Sequence, residues 1–163
     1  VIDHIRGDFI GNYVAGGYNV AGGAVFNYNN AFIGSITGNF LNNYSRAAGA
    51  GNVALGGAVY TAKKMTFAAG EQKTYFMSGN YTLGRSYNKR YNAIFVETGA
   101  SGEVPVITFD TAGGGAWVIN DNIEGGKNSN NVINYATRYN LAFTGDGVLN
   151  ENGLTDQYIS INN

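Results

Sequence analysis

The sequence predicts an all-β protein, a parallel β-helix (solenoid) of about five coils with three short strands in each. Two observations come from self-similarity: IRGDFIGNYV at 5–14 returns as ITGNFLNNYS at 36–45, and GGAVF at 22–26 returns as GGAVY at 56–60. The third is that short apolar runs alternate with turn residues, without the sustained period of about 3.6 residues that marks a helix. Short strands that recur every 31 to 34 residues are typical of a solenoid.

The repeat defines the predicted strands in order along the chain. They are IDHI (2–5), DFIGN (8–12) and AVFNY (24–28); FIGSI (32–36), FLNN (40–43) and AVYTA (58–62); MTFA (65–68), TYFMSG (74–79) and AIFVE (93–97); VITFD (106–110), AWVIND (116–121) and VINYA (132–136); LAFTG (141–145), GVLNE (147–151) and YISIN (158–162). The runs are rich in β-branched and aromatic residues, and turn-forming residues separate most of them. We expect each strand to pair with its equivalent one coil later, about 4.8 Å away.

An Asn-Tyr pair recurs once per period in the first three coils and places Asn12, Asn43 and Asn80 at equivalent positions. Stacked amides can hydrogen-bond to each other and satisfy turn carbonyls, so we predict a structural asparagine ladder. The alternative, that asparagine is merely abundant in this chain, stays open.

The repeated Gly-Gly pairs are predicted to form corners, because glycine adopts positive φ without steric cost. These repeat glycines are Gly22, Gly23, Gly56 and Gly57. Three variable segments rich in Gly, Ala, Asn and Ser are predicted to be loops that protrude from one edge, at about 14–23, 45–57 and 82–92. A sandwich, barrel or propeller also has many short strands, but none of these folds requires the same side chain to recur in every period.

Composition limits the function classes. The 163 residues form one domain's worth of chain, with 25 glycines, 12 tyrosines and 9 phenylalanines, which favours an ordered, turn-rich β fold over disorder. Only 13% of residues are charged and the net charge is −1, so we expect no nucleic-acid partner. No run of 18 apolar residues occurs, so we expect no direct membrane insertion by this segment. Without cysteine and with His4 as the single histidine, we expect neither a metal site nor a cofactor.

The joint order of several motifs resembles the passenger region of bacterial autotransporters and polymorphic outer-membrane proteins. These motifs are IGSITGNFLNNY, GGAVY, TFAAGEQKTYFMSGN, NAIFV and GGGAWVINDNIEGG, and the resemblance covers most of residues 1–150. It implies a right-handed β-helix, displayed extracellularly or on the cell surface of a Gram-negative-type bacterium, that serves in adhesion or as a rigid stalk. Residues 1–163 are then a single β-helical repeat domain, an excerpt of a longer passenger.

From this resemblance we expect a non-enzymatic, structural or adhesive protein. Its partners would be a protein or glycan on a host or neighbouring cell. A second copy is another expected partner, since exposed terminal strands can pair end to end or laterally and build filaments.

The tripeptide Arg6-Gly7-Asp8 is a candidate adhesion motif. The equivalent residues one period later are Thr37-Gly38-Asn39, so the tripeptide occupies an ordinary corner of the repeat and differs there by two substitutions. We favour the corner interpretation, and integrin capture stays as the alternative.

The enzymatic alternative is a glycan-binding or glycan-cleaving β-helix. Glycoside hydrolysis requires two carboxyl groups about 5 to 10 Å apart on one groove. The candidate pair is Asp110 and Asp121, because each follows an apolar run in the fourth coil.

Overall fold

The protein is described by a computed structural model that covers residues 1–29, 31–49, 52–70, 72–84, 89–98, 105–129, 132–134, 140–144, 148–151 and 158–161. Within these ranges all of the regular secondary structure is β-strand, as the sequence predicts. In chain order the strands are β1 (Ile2–Arg6), β2 (Phe9–Ile10), β3 (Tyr13–Gly16), β4 (Val20–Ala21), β5 (Val25–Asn27), β6 (Ile33–Thr37), β7 (Phe40–Leu41), β8 (Tyr44–Ala47), β9 (Ala54–Leu55), β10 (Val59–Thr61), β11 (Met65–Ala68), β12 (Thr74–Ser78), β13 (Tyr81–Leu83), β14 (Lys89–Glu97), β15 (Val106–Asp110), β16 (Ala116–Ile119), β17 (Asn122–Ser129), β18 (Val132–Asn134), β19 (Asn140–Thr144), β20 (Val148–Glu151) and β21 (Tyr158–Ile161).

Two parallel sheets run along the solenoid and confirm the predicted fold. The first sheet has the order β1-β6-β11-β15-β19-β21, and the second has the order β2-β7-β12-β16-β20. The register is that of the repeat, because Ile2 pairs with Ile33 and Phe9 pairs with Phe40. Each coil therefore places its side chains above the equivalent side chains of the coil before it.

The remaining side of the solenoid corrects the prediction of three strands per coil. The first two coils contain five strands each, because β3 pairs with β8 and β4 pairs with β9, in addition to the pairing of β5 with β10. These extra strands lie largely inside the segments predicted to be loops at 14–23 and 45–57, and the segment at 82–92 contains the end of β13 and the start of β14. Little in the local sequence indicates them, because they are built from residues such as YVAG, VA and AL, which become strands through pairing with the next coil.

The later coils depart further from the predicted pattern. The strand that continues the third side after β14 is β17, not the predicted VINYA at 132–136. Residues 132–134 instead form β18, which pairs with β17 as an antiparallel hairpin. All sides of the solenoid are regular over about three turns, so the count of regular coils differs slightly from the predicted five, although the first and second sheets continue to six and five strands.

The core is a stack of apolar side chains that point into the solenoid. Phe9 lies on Phe40 with ring centroids 4.6 Å apart, and Phe67 lies on Phe109 with centroids 5.4 Å apart. Trp117 is fully buried, and its indole Nε1 donates to the carbonyl oxygen of Phe67 at 3.1 Å. The buried polar group of the largest core side chain is thereby satisfied.

Outside the main core, Leu55, Tyr60 and Phe95 form a second apolar cluster together with Ala21 and Val53. The short β4–β9 pair contributes Ala21 and Leu55 to this cluster. The segments predicted to protrude as loops therefore fold back, in part, onto the sheet that contains β10 and β14.

Gly22 and Gly56 have a specific steric role at the corner before β5 and β10. Both have positive φ, 65° and 58°. A Cβ atom at Gly22 would lie 2.2 Å from the carbonyl oxygen of Val25, and one at Gly56 would lie 2.0 Å from that of Val59. A Cβ atom at Gly23 would lie 2.1 Å from the carbonyl oxygen of Gly57, and one at Gly57 would lie 2.5 Å from the backbone N of Tyr81. Only glycine fits this turn without moving the backbone.

Asn12, Asn43 and Asn80 lie one above another and are joined by hydrogen bonds. The backbone N and the side-chain Nδ2 of Asn12 both donate to Asn43 Oδ1 at 3.0 Å, and the same two groups of Asn43 donate to Asn80 Oδ1 at 3.1 and 2.8 Å. The second proton of Asn43 Nδ2 reaches the carbonyl oxygen of Phe9 at 2.9 Å. Asn43 and Asn80 thus each satisfy a corner of the coil before them, since Asn80 Nδ2 likewise donates to the carbonyl oxygen of Phe40 at 2.8 Å.

Replacing Asn43 with alanine is expected to lower the free energy of unfolding by about 2 to 4 kcal/mol, because several buried hydrogen-bonding groups lose their partner together. Urea unfolding followed by circular dichroism measures this change. Asn12→Ala is the matched control: its side chain lies in the exposed first coil, so we expect a loss of about 1 kcal/mol or less. Equal losses in the two variants would show that the ladder does not support the buried coils.

Candidate ligand-binding cleft

A cleft of about 620 Å³ lies at the corner between the first and second sheets. It forms because the corner changes length along the solenoid. Two residues separate β1 from β2, and two separate β6 from β7, whereas residues 69–73 separate β11 from β12 and residues 111–115 separate β15 from β16. The longer corners of the third and fourth coils stand beside the short corners of the first two.

The RGD tripeptide lies in this cleft at the short corner of the first coil. Arg6 ends β1, Gly7 turns the chain with a φ of 146°, and Asp8 precedes β2. Asp8 Oδ1 accepts hydrogen bonds from the backbone N and the side-chain Nδ2 of Asn39, both at 2.9 Å. The Asp8 carboxylate therefore helps to hold the second coil, which is the structural role that the corner interpretation implies.

Arg6 also has an intramolecular partner. Its Nε donates to His4 Nε2 at 2.9 Å, and His4 Nδ1 is hydrogen-bonded to the Ser35 hydroxyl. Arg6 and His4 are nevertheless solvent-exposed and line the cleft, so their polar edges can face a ligand.

The opposite part of the cleft comes from the longer corners. Lys73, Tyr75 and Asp110 contribute to the lining there. Asp110 ends β15, and its Oδ1 accepts from the backbone N of Ala112 at 2.9 Å, which fixes the carboxylate at the turn. With Arg6 and Lys73 balanced by Asp8 and Asp110, the cleft carries both signs of charge and many hydrogen-bonding groups.

Asp121 does not belong to this cleft. It is 2% exposed and occupies the fourth position of the asparagine ladder. Its Oδ2 accepts from the backbone N and the Nδ2 of Asn80 at 2.8 and 2.7 Å, and its Oδ1 accepts from the backbone N of Gly79 at 2.9 Å. The structure therefore does not bring Asp110 and Asp121 together at one groove.

A sequence signal for this role of Asp121 was present. Asn12, Asn43, Asn80 and Asp121 each lie two residues after the last residue of a strand in the second sheet, β2, β7, β12 and β16 respectively. The position demands an acceptor for two N–H groups, and a carboxylate supplies it as well as an amide oxygen does. A search for asparagine alone misses the fourth member.

Burial raises the pKa of Asp121, and the hydrogen bonds from Asn80 and Gly79, together with the charge of Lys89, partly oppose that increase. Burial likewise raises the pKa of Glu124, against the lowering effect of the Arg90 guanidinium, which donates to Glu124 Oε1 at 2.5 Å. Asp121 directly precedes β17 and Glu124 lies within it, and neither residue lines the cleft.

The described residues lack two kinds of feature. They contain no group of three or more His, Cys, Asp or Glu side chains arranged to hold a metal ion. No helix among them has the length and apolar character needed to cross a membrane.

Comparison of the chain with protein-family models, with curated proteins and with solved structures finds no match. The structure supports the β-solenoid fold, and the resemblance to autotransporter passengers stays a prediction from the sequence motifs.

The contribution of Asp121 to stability is expected to decrease as pH rises. Its folded-state pKa lies above the ordinary value of 3.8, so the folded protein binds this proton more tightly than the unfolded chain does. The contribution is fully present below 3.8 and is lost as pH rises through the folded-state pKa. Urea unfolding between about pH 3 and about pH 7 should show the stability of Asp121→Asn improving, relative to the unsubstituted protein, as pH rises. Glu124 titrates in both proteins and cancels in this difference, so a difference that does not change with pH would contradict the expectation.

Proposed function

We propose that this chain is a non-enzymatic, extracellular β-helical module that serves as a structural or adhesive stalk on the surface of a Gram-negative-type bacterium. The observation that carries the proposal is the continuity of identical side chains along the axis. The Asn12-Asn43-Asn80-Asp121 ladder spans four coils without interruption. The tyrosines beside it, Tyr13, Tyr44 and Tyr81, stack with ring centroids 5.1 Å apart at each step. Such axial bonding, added to the backbone ladders, makes a stiff rod.

The cleft is the surface that we propose for adhesion, and a glycan is the ligand class that suits it best. Sugar hydroxyls both donate and accept hydrogen bonds, as the mixed lining of Arg6, Asp8, Lys73 and Asp110 does. The near balance of charge gives little advantage to a strongly charged ligand. A cell-surface protein that presents a polar loop is the other partner that fits this surface.

Binding of the purified protein to a glycan array tests the adhesive role. We expect Lys73→Ala and Asp110→Asn each to weaken binding about tenfold, because each removes a polar or charged contact to a buried ligand group. Asp3→Asn is the charge-matched control for Asp110→Asn, since Asp3 is exposed on β1 and is absent from the cleft lining. In a cell-binding assay, we expect that a linear RGD peptide does not compete with the protein for the cells, because Arg6 and Asp8 already have hydrogen-bond partners within the fold.

Two outcomes would redirect this proposal. Competition by the RGD peptide, together with loss of cell binding in Asp8→Ala, would favour integrin capture. Release of reducing sugar from a polysaccharide panel, abolished by Asp110→Asn, would favour the glycan-cleaving alternative, with a second carboxyl group other than Asp121 acting in the cleft.

Self-association is a further part of the proposed structural role. The first coil of this segment exposes large apolar side chains, including Ile10 at 58% and Tyr13 at 63%. We expect the apparent molecular mass from light scattering to increase as the protein concentration is raised from about 1 to about 100 µM, because one copy stacks on another. The double variant Ile10→Ser, Tyr13→Ser should remain monomeric. A monomer at every concentration in the unsubstituted protein would refute end-to-end association.

A further inference from the structure

A second cavity lies on a different side of the solenoid from the cleft. Its volume is about 240 Å³, and it is bounded by the short β4–β9 pair and by the outward-facing side chains near β5 and β10. The residues that matter for its chemistry are Val20, Leu55, Phe26, Tyr28, Tyr60 and Glu97. It shares no lining residue with the cleft, so the inference drawn from it does not depend on the proposed function.

Aromatic rings dominate this cavity. Phe26 and Tyr60 are stacked with centroids 5.0 Å apart and an interplanar angle of 15°. Tyr28 is tilted by 36° to Phe26 and by 51° to Tyr60, with centroids 5.8 and 6.3 Å away. Phe26 is 57% exposed and Tyr28 is 41% exposed, so these two rings present surface to a ligand instead of filling a core.

Glu97 is the one charged residue among the described residues that line this cavity. The hydroxyl of Tyr60 donates a hydrogen bond to Glu97 Oε2. Burial, followed by this contact with Glu97, raises the pKa of Tyr60, so the phenol keeps its proton and remains a donor. The carboxylate is thereby held beside the aromatic rings.

We propose that the cavity binds a quaternary ammonium group, such as the trimethylammonium of a choline head group. The exposed rings of Phe26 and Tyr28 offer the negative part of the aromatic quadrupole, and the Glu97 carboxylate adds a full negative charge at the same place. Tyr60 is stacked between Phe26 and Phe95, so it contributes the hydroxyl that holds Glu97 and no ring face. The methyl groups of the cation find apolar contacts with Val20 and Leu55. Charge and shape of the lining thus favour one kind of ligand, a cation with an apolar shell.

The same lining is less suited to two other ligands. A primary ammonium has three N–H donors to satisfy, and Glu97 can accept some of them, but apolar and aromatic side chains form much of the remaining wall. A neutral sugar stacks on aromatic rings but gains nothing from the negative charge. A quaternary ammonium has no N–H group, so it enters without losing hydrogen bonds.

Isothermal titration calorimetry with tetramethylammonium, choline and 3,3-dimethylbutanol tests the proposal, since the last compound is the neutral carbon isostere of choline. We expect both cations to bind saturably and the isostere to bind about tenfold more weakly. Glu97→Gln should weaken choline binding about tenfold, and Phe26→Ala should weaken it comparably. Phe26 is largely exposed, so Phe26→Ala is expected to keep the circular-dichroism spectrum of the parent. Asp3→Asn, which removes one exposed carboxylate elsewhere, should bind choline like the parent.

Co-sedimentation with phosphatidylcholine vesicles then separates two sources of the same group. Vesicle binding that free choline displaces indicates a lipid head group, and binding of free choline alone indicates a soluble ligand; both support the proposal. Equal affinity for choline and its isostere, stronger binding of glucose than of choline, or choline binding unchanged in both Glu97→Gln and Phe26→Ala would overturn it.

Discussion

In-register parallel pairing of each strand with its counterpart one coil away is the constraint on which the rest of this structure depends. Ile2 over Ile33, Phe9 over Phe40 and Tyr13 over Tyr44 are consequences of it. Once the backbones stack in register, equivalent side chains lie about 4.8 Å apart along the axis and form continuous rows. The apolar rows make the core, and the amide rows satisfy the hydrogen-bonding groups of the corners. A substitution in one coil therefore changes the contacts of the two coils beside it.

The rows of stacked polar side chains follow the same in-register pairing. An acceptor lies two residues after β7, β12 and β16, and the chain supplies it as Asn43, Asn80 and Asp121 in turn, while Asn12 begins the ladder as a donor. At the first corner Asp8 accepts from Asn39, and Asn39 Oδ1 in turn accepts from the backbone N of Phe76 at 2.9 Å. Two residues that sequence reasoning associates with chemistry, Asp8 and Asp121, are therefore part of the scaffold.

The two cavities lie where the coil departs from its shortest path. Lengthened corners in the third and fourth coils create the polar cleft, and the β4–β9 excursion creates the aromatic cavity that Glu97 helps to line. The scaffold tolerates these additions because they begin and end at corners, where no strand of the first or second sheet is displaced. Rigid stacking and local variation are thus compatible in one small chain.

Recurring side chains and positive-φ turns leave their mark on residue identity, so the amino-acid sequence alone predicts the solenoid, the register of its first two coils and the glycines of the Gly22 and Gly56 corners. Tertiary pairing instead makes strands of β3, β4, β8 and β9, continues the third side with 122–129 in place of 132–136, and keeps Asp110 and Asp121 apart. Pairing across coils can impose extended conformation on almost any small residue, and the side on which a carboxylate ends depends on how many residues each corner contains. These are properties of the stacked coils together, and no single stretch of sequence encodes them.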